Sequence, residues 1–376
     1  AHGDDPYHQV GTDCFTPMHY EKAKINVQWG SEPFIPSDNP FGDLDDDGRP
    51  ELAVGRLPVE TPEQLKVVVD KILKHEKTPP DAASAKVNFI AGVGDFGVLL
   101  DMMIEGVARK LLVDRIPSGY EMSMTYGSFR SPYFPGPDRF RDRVVETLNE
   151  DSAYWVYMGH GAPFFLDRLR LGDEEFPLLE LGDCSELKGE GRRPIAILFS
   201  CYTGAVDAAR YDCIGERMLC EKGGPIAVLA ASRVSMPYAM SVLGDGLIES
   251  TMHNRVETIG LAMLEAKRAM TEPADAAPND AAANDGGDDA VDSSPREREH
   301  AEFRKRLDSL AEAFRSKHYD PEGERLEHLK LFNLLGDPML RLKYPGAVDV
   351  EMAENAACGS KLTVSGNLPE TMRQGG

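Results

Sequence analysis

The sequence predicts an α/β protein with a mostly parallel central sheet between two layers of helices, a three-layer sandwich. Several short apolar runs lack polar alternation, which is typical of strands buried on both faces of a parallel sheet. Amphipathic helical stretches lie between these runs. A chain of 376 residues is long enough to bury a large core as one large or two modest domains.

The first clear element is a helix that begins after Thr61. Thr61 is a good N-cap, Pro62 suits the first helical position, and Gln64 completes a capping box. The further predicted strands are 86–93, the run ending at Met158, 194–200 and 225–232, and the further predicted helices are 97–112, 138–150, about 212–221 and a long stretch over 239–270.

Composition changes divide the chain into three parts. Residues 1–84 form an N-terminal part with an acidic loop and the first helix, 85–345 form the main α/β domain, and 346–376 form a tail. The segment 271–295 has seven acidic and no basic residues, so it is predicted to be a disordered insertion in the main domain. The tail contains an alternating pattern, "GSKLTVSGNL", typical of the start of a truncated β-domain.

Charge and hydropathy exclude several kinds of partner. The formal net charge is −22 and lysine and arginine do not cluster, so nucleic acid is not an expected partner. The apolar runs are far shorter than the roughly 20 residues of a membrane-spanning helix. The chain begins at Ala1 without an initiator Met or a signal peptide, so we expect a processed form or a fragment.

The cysteines do not indicate a disulfide framework. Six of them are scattered over the chain, and Cys213 and Cys220 are better interpreted as packed thiols on one helix. A zinc site built from Cys201, Cys213, Cys220 and His160 would lack the paired close spacing of structural zinc sites.

Two apolar strands each end in a chemically reactive side chain. "AYWVYMGHG" places His160 after one strand, and "PIAILFSCYTG" places Cys201 after the next. The carboxyl ends of parallel strands share one crevice, so the two side chains should lie side by side. Each residue alone would be ordinary, as a satisfied polar histidine or a buried thiol. Together they predict a thiolate nucleophile activated by an imidazole.

Glycine beside the histidine completes the predicted chemistry. The backbone N–H groups of Gly161 and Cys201 would form an oxyanion hole for a tetrahedral intermediate. The histidine precedes the cysteine by about forty residues, which excludes the papain arrangement.

These motifs resemble the caspase-fold cysteine peptidases of clan CD, and within that fold the gingipain-like family. "VYMGHG", "AILFSCYTG", "DLDDDGRPELAVGRLPVETPEQL" and "NLLGDPMLRL" carry the resemblance, which spans most of 38–342. It implies a caspase-like catalytic domain and a cysteine endopeptidase acting on protein or peptide substrates through His160 and Cys201.

The resemblance extends to specificity only in part. "SRVSMPY" resembles the loop that walls the S1 pocket in this family, which implicates Ser232, Arg233 and Tyr238. Arg233 would favour an acidic substrate residue there, unless it is an exposed, solvated arginine. Asp101 or Glu105 would be a third catalytic member that orients His160, or both are charges on the outer face of a helix.

The loop "DLDDDG" predicts a calcium site. Asp43, Asp45, Asp47 and Glu51 would supply carboxylates, with Arg49 or its carbonyl as a further contributor, and calcium is known in the gingipain family. Val54 stands where an EF-hand has its bidentate glutamate, so the loop is not an EF-hand. The alternative is a solvated acidic turn.

The sequence is also compatible with two other functions. One is a catalytically silent relative that binds a partner through the same fold, and the other is a thiol acyltransferase that joins peptides. A calcium loop, secreted relatives and a trailing β-domain together predict a secreted or cell-envelope protein.

Overall fold

The computed structural model describes residues 18–94, 115–129, 131–208, 211–272, 295–313, 315, 319–346, 349–352 and 364–367. Its strands are β1 (His19–Lys22), β2 (Phe34–Ser37), β3 (Lys86–Ala91), β4 (Glu121–Tyr126), β5 (Tyr154–Met158), β6 (Gly161–Ala162), β7 (Phe165–Leu171), β8 (Glu174–Glu180), β9 (Ile195–Phe199), β10 (Ala227–Ala231), β11 (Phe332–Leu335), β12 (Asp349–Met352) and β13 (Val364–Asn367). Its α-helices are α1 (Pro62–Lys77), α2 (Pro137–Asn149), α3 (Ile214–Cys220), α4 (Pro237–Ile248), α5 (Ile259–Thr271), α6 (Pro295–Ala313) and α7 (Pro321–Leu331).

The central sheet has six strands in the order β11-β10-β9-β5-β3-β4. All neighbours are parallel except β11, which runs antiparallel to β10. The predicted, mostly parallel sheet is therefore confirmed, and its four predicted strands are β3, β5, β9 and β10.

Both faces of the sheet are covered, as a three-layer sandwich requires. In β9, Ile195, Ile197 and Phe199 face a core shared with α4, α5, α6 and α7. Ala196 and Leu198 face a second core, shared with α1, α2, α3 and the β7–β8 hairpin. All five residues of β9 are buried, which explains why this strand shows no polar alternation.

Three predicted helices, after Thr61, over 138–150 and around 212–221, correspond to α1, α2 and α3. The predicted capping box at Thr61 is present, with Thr61 accepting from the Gln64 N–H and the Gln64 side chain accepting from the Thr61 N–H. The single helical stretch predicted over 239–270 is instead two helices, α4 and α5, joined through a π-helical turn at Glu249–His253. The chain reverses at Arg255, whose φ of 53° is incompatible with a continuous right-handed helix.

Several strands were not predicted from the sequence, and two of them, β6 and β7, lie beside the candidate site. Strands β6, β7 and β8 form a separate antiparallel sheet, and β7 and β8 carry charged residues such as Arg168 and Glu175 on their solvent side. This polar alternation is typical of a half-buried antiparallel strand and differs from the apolar blocks of the central sheet. The edge strand β4 was missed for the same reason.

The predicted boundaries of the three parts stay predictions. Ile35 and Val68, from the part before residue 85, lie in the same two cores as the main domain. In the tail, β12 pairs antiparallel with β13, which falls within the predicted strand pattern.

Helix 97–112 and almost all of the acidic segment 271–295 lie outside the described residues. Among the helices that are described, none has the length and apolarity to cross a bilayer.

Candidate active site

The two predicted reactive residues come together at the carboxyl edge of the sheet. Met158 and Phe199 are paired in register on β5 and β9, and His160 and Cys201 each follow two residues later. A Cβ atom on Gly161 would lie 2.8 Å from the carbonyl oxygen of Cys201, so the loop that carries His160 packs directly on the backbone at Cys201. His160 and Cys201 are both partly exposed, and the edge can therefore admit a substrate.

The sulfur of Cys201 lies against the loop after β10. The Ser235 N–H donates to Sγ over 3.3 Å, and the Ser235 hydroxyl lies 3.8 Å from Sγ. Directly after Cys201 the backbone turns at Tyr202, which has a φ of 60°, a left-handed conformation that is strained for a non-glycine residue. The Tyr202 N–H donates to the Arg233 carbonyl over 3.2 Å, which clamps this turn to the same loop.

The loop around Ser235 is fixed from the opposite side. The Met236 N–H donates to Nε2 of His328 on α7 over 2.6 Å, and the Nδ1–H of His328 donates to the Glu324 carbonyl over 2.7 Å. Burial lowers the pKa of His328 to about 4, so the ring is neutral near pH 7 and can accept through Nε2. The Asn26 side-chain amide donates to the Val234 carbonyl over 2.7 Å.

The backbone of His160 is held by two buried residues. The Tyr157 hydroxyl donates to the His160 carbonyl over 2.7 Å, and the Asp167 N–H donates to the same oxygen over 3.2 Å. The Asp167 carboxylate accepts from the Val93 N–H over 2.7 Å. Asp167 was not among the predicted site residues because its strand, β7, was not predicted.

The other described thiols differ from Cys201 in their surroundings. Burial raises the pKa of Cys184 to about 12 and that of Cys220 to about 11, and it raises the pKa of Cys213 well above its usual value. All three are therefore protonated and unreactive near neutral pH. Cys213 and Cys220 are free thiols, as predicted. Within the described ranges, the residues of the zinc alternative form no metal-binding group.

The residues predicted to wall the S1 pocket have buried side chains. The Ser232 hydroxyl donates to the Pro36 carbonyl, and the Tyr238 hydroxyl donates to Asp308. Arg233 is 4% exposed and pairs with Asp207 through two hydrogen bonds of 2.9 and 2.5 Å.

The expectation of a solvated Arg233 is therefore wrong, and its charge is already matched inside the protein. The side chains of this segment that reach solvent are those of Val234, Met236 and Pro237. Of the predicted third catalytic members, Asp101 and Glu105 both lie outside the described residues.

The acidic loop folds into a compact turn. One carboxylate oxygen from each of Asp43, Asp45, Asp47 and Glu51 lies within 4.8 Å of the others. Oδ1 of Asp43 is shielded from solvent and has no hydrogen-bond partner among the described residues. The Arg49 side chain is 56% exposed and lies 4.0 Å from Asp47, and the Arg49 N–H donates to the Asp47 carboxylate over 2.8 Å.

Comparisons with known proteins place this geometry in a family. The profile described as "Peptidase family C25" matches residues 3–343. The structure is similar to the Arg-specific cysteine proteinase gingipain R (RgpB), with 17% identity over 89% of this chain and 66% of that one, at a TM-score of 0.54. It is also similar to a complex of the pro- and mature domains of RgpB from Porphyromonas gingivalis, with 16% identity over 89% of this chain and 68% of that one, at a TM-score of 0.51.

A third similar structure is described only as a protease, with 16% identity over 90% of this chain and 65% of that one, at a TM-score of 0.55. The chain thus spans about two thirds of the length of these relatives, 66% in the case of gingipain R. None of the curated proteins matches it by sequence. The likeness to gingipain confirms the caspase-like fold, and the profile match over most of the chain shows that this protein belongs to peptidase family C25.

Proposed function

We propose that the chain is a cysteine endopeptidase that cleaves peptide bonds with Cys201 as nucleophile and His160 as proton carrier. The observation that carries the proposal is the close packing of the His160–Gly161 loop on Cys201, at a partly exposed sheet edge in a member of family C25. The other described thiols are held protonated by burial, which leaves Cys201 as the candidate nucleophile among the described cysteines.

The proposed reaction has two halves. His160 takes the proton of the Cys201 thiol, and the thiolate attacks the scissile carbonyl carbon to form a tetrahedral intermediate. The N–H groups of Gly161 and Cys201 would donate to its oxyanion. The C–N bond then breaks as His160 gives its proton to the leaving amine. Water, deprotonated by His160, attacks the thioester and releases the acid product and the thiol.

The acidic loop is proposed to hold a calcium ion through Asp43, Asp45, Asp47 and Glu51. The shielded, unpartnered Oδ1 of Asp43 supports this proposal, because a buried carboxylate oxygen without a donor is costly unless a cation lies beside it. The ion would serve to order the loop, since nothing in the proposed reaction requires it. Such a weak calcium loop and the family relationship support our proposal that the protein is secreted or lies in the cell envelope.

A cleavage profile on a peptide library tests the proposed function. Wild type should cleave, while Cys201→Ala and His160→Ala should each lose almost all turnover, because each removes one half of the pair. Equal turnover in all three proteins would end the proposal. Rapid iodoacetamide labelling of Cys201 without cleavage would favour a catalytically silent relative. Ligated products in the presence of an added amine, seen by mass spectrometry, would favour an acyltransferase.

A further inference from the structure

Asp167 is a buried acidic residue that contacts the backbone of His160. Asp167 is only 6% exposed. Its carboxylate accepts hydrogen bonds from the Val93 N–H over 2.7 Å and from the Arg168 N–H over 2.8 Å. Its backbone lies opposite His160, one position beyond the Gly161–Leu166 pair of β6 and β7. The Asp167 N–H in turn donates to the His160 carbonyl over 3.2 Å. Asp167 therefore contacts the His160 carbonyl through its backbone and the loop after β3 through its carboxylate.

The position of Asp167 depends on close backbone contacts around it. A Cβ atom on Gly92 would come within 2.6 Å of Oδ2 of Asp167 and within 3.0 Å of the Tyr157 hydroxyl. The Tyr157 hydroxyl accepts from the Asp167 N–H over 3.3 Å and donates to the His160 carbonyl. Asp167 therefore lies where three elements meet: the loop after β3, strand β5 and strand β7.

The charge of Asp167 acts on both His160 and Tyr157. Burial raises the pKa of Asp167 above its usual value, and the Val93 hydrogen bond and the charge of His160 offset only part of that rise. The titratable groups that face it from the described elements are those of Tyr157 and His160, with Cys201 beyond Tyr157. In the described part of the chain, no lysine or arginine makes a salt bridge to Asp167; the Arg168 guanidinium lies over the Phe165 ring and pairs with Glu180.

We propose that Asp167 is a positioning residue that holds His160 beside Cys201 and whose buried charge favours the protonated imidazole. This inference rests on the proposed function, in which the Cys201 proton moves to His160 as the thiolate forms. The resulting imidazolium would be stabilised by the negative charge of the neighbouring Asp167 carboxylate. Asp167 then takes the role for which the sequence suggested Asp101 or Glu105.

The experiment measures iodoacetamide alkylation of Cys201 as a function of pH, which needs no peptide substrate. Asp167→Asn keeps one oxygen acceptor and removes the charge. An opposite charge at close range shifts a titration by about one unit or more, so the alkylation midpoint should rise by about one pH unit and the rate at pH 6 should fall about tenfold. Glu174→Gln, which removes an exposed charge from the neighbouring strand β8, is the matched control and should leave the profile unchanged.

A double-mutant cycle separates this role from general structural damage. In the His160→Ala background, Asp167→Asn should not move the alkylation profile further, because the proposed effect passes through His160. An unchanged midpoint in the single variant, or an equal shift in both backgrounds, would overturn the proposal. In peptide cleavage, kcat should fall more than tenfold for Asp167→Asn with little change in KM.

If Asp167→Asn does not fold, Asp167→Glu replaces it. The longer side chain keeps the charge near His160 but displaces its oxygens from the backbone donors. It should retain the wild-type alkylation midpoint and lower kcat, and a midpoint raised by a full pH unit would contradict the role of the charge. If Asp167→Asn shifts the alkylation midpoint as expected while wild type cleaves no peptide, the proposed function is refuted and the positioning role stands.

Discussion

The backbone N–H of Ser235 points at the sulfur of Cys201 and donates to it over 3.3 Å. A hydrogen bond to an ionised partner is worth about 1.5–3 kcal/mol, so this donor should favour the thiolate by roughly ten- to a hundredfold. Ser235→Pro removes the N–H, and we expect the iodoacetamide alkylation rate at pH 7 to fall at least tenfold.

Ser235→Ala is the matched variant because it keeps the N–H and removes only the hydroxyl, which lies 3.8 Å from Sγ. It should alkylate within about twofold of wild type, since so long a contact contributes little. Thermal unfolding of both variants controls for misfolding. If a folded Ser235→Pro protein alkylates as fast as wild type, the Ser235 N–H does not support the thiolate.

Gly161 should not tolerate a side chain. An alanine Cβ there would lie 2.8 Å from the Cys201 carbonyl oxygen and 2.8 Å from the Ser200 Cβ, so Gly161→Ala must move the His160 loop away from Cys201. A misplacement of about 1 Å at a reacting group can cost about a hundredfold in rate, and we expect a loss of that size in kcat/KM. Gly182→Ala, which meets no atom within 4 Å, should leave kcat/KM unchanged.

The reactive pair could be predicted from sequence because its signal is local. His160 and Cys201 each follow a short apolar block that is typical of a buried strand, and parallel strands bring their carboxyl ends to the same edge of the sheet. Asp167 and Ser235 carry no such signal. Each reaches the pair through tertiary contacts of strand β7 or the loop after β10, and a single aspartate or serine in a polar stretch looks the same whether it is buried or solvated.

Arg233 illustrates the same limit for charge. Its burial depends on Asp207, which lies 26 residues away in the chain and approaches only when the loops after β9 and β10 fold together. From sequence, an arginine after a strand is therefore predicted to lie on the surface. In the structure, Arg233 instead belongs to a buried ion pair.

Breaking this ion pair should destabilise the protein without changing which peptides it cleaves. Arg233 and Asp207 have side chains 4% and 6% exposed, and removing one partner of a buried pair costs about 3–5 kcal/mol. We expect Asp207→Asn to lower the free energy of unfolding by an amount of that order, measured by urea titration. The cleavage profile should stay the same, and a switch in the preferred substrate residue would mean that Arg233 binds substrate.

Calcium should stabilise the protein through the acidic loop. Addition of calcium after treatment with a chelator should raise Tm, since an ion that binds only the folded state adds to its stability. Asp43→Asn should abolish most of that increase because Asp43 supplies the shielded oxygen. Glu121→Gln, on the exposed end of edge strand β4, should retain it. The same Tm with calcium and with chelator in wild type would identify the loop as a solvated turn.

Protonation of His328 should make the protein less stable in acid. The pKa of this buried ring is lowered from 6.5 to about 4, so between those values the unfolded chain binds the extra proton and the folded one does not. Its contribution is complete above pH 6.5 and is lost as the pH falls towards 4, a total of about 3 kcal/mol.

Urea unfolding from pH 7 to pH 4.5 measures this loss, with His328→Gln as the variant that cannot titrate. The difference in stability between the two proteins should shrink towards pH 4.5. Burial raises the pKa of Glu324 to about 7, which gives the opposite trend, but Glu324 is present in both proteins and largely cancels. Parallel pH dependences would show that folding does not lower the pKa of His328, so the folded ring would become protonated below about pH 6.5 and could then no longer accept the Met236 N–H beside the Cys201 loop.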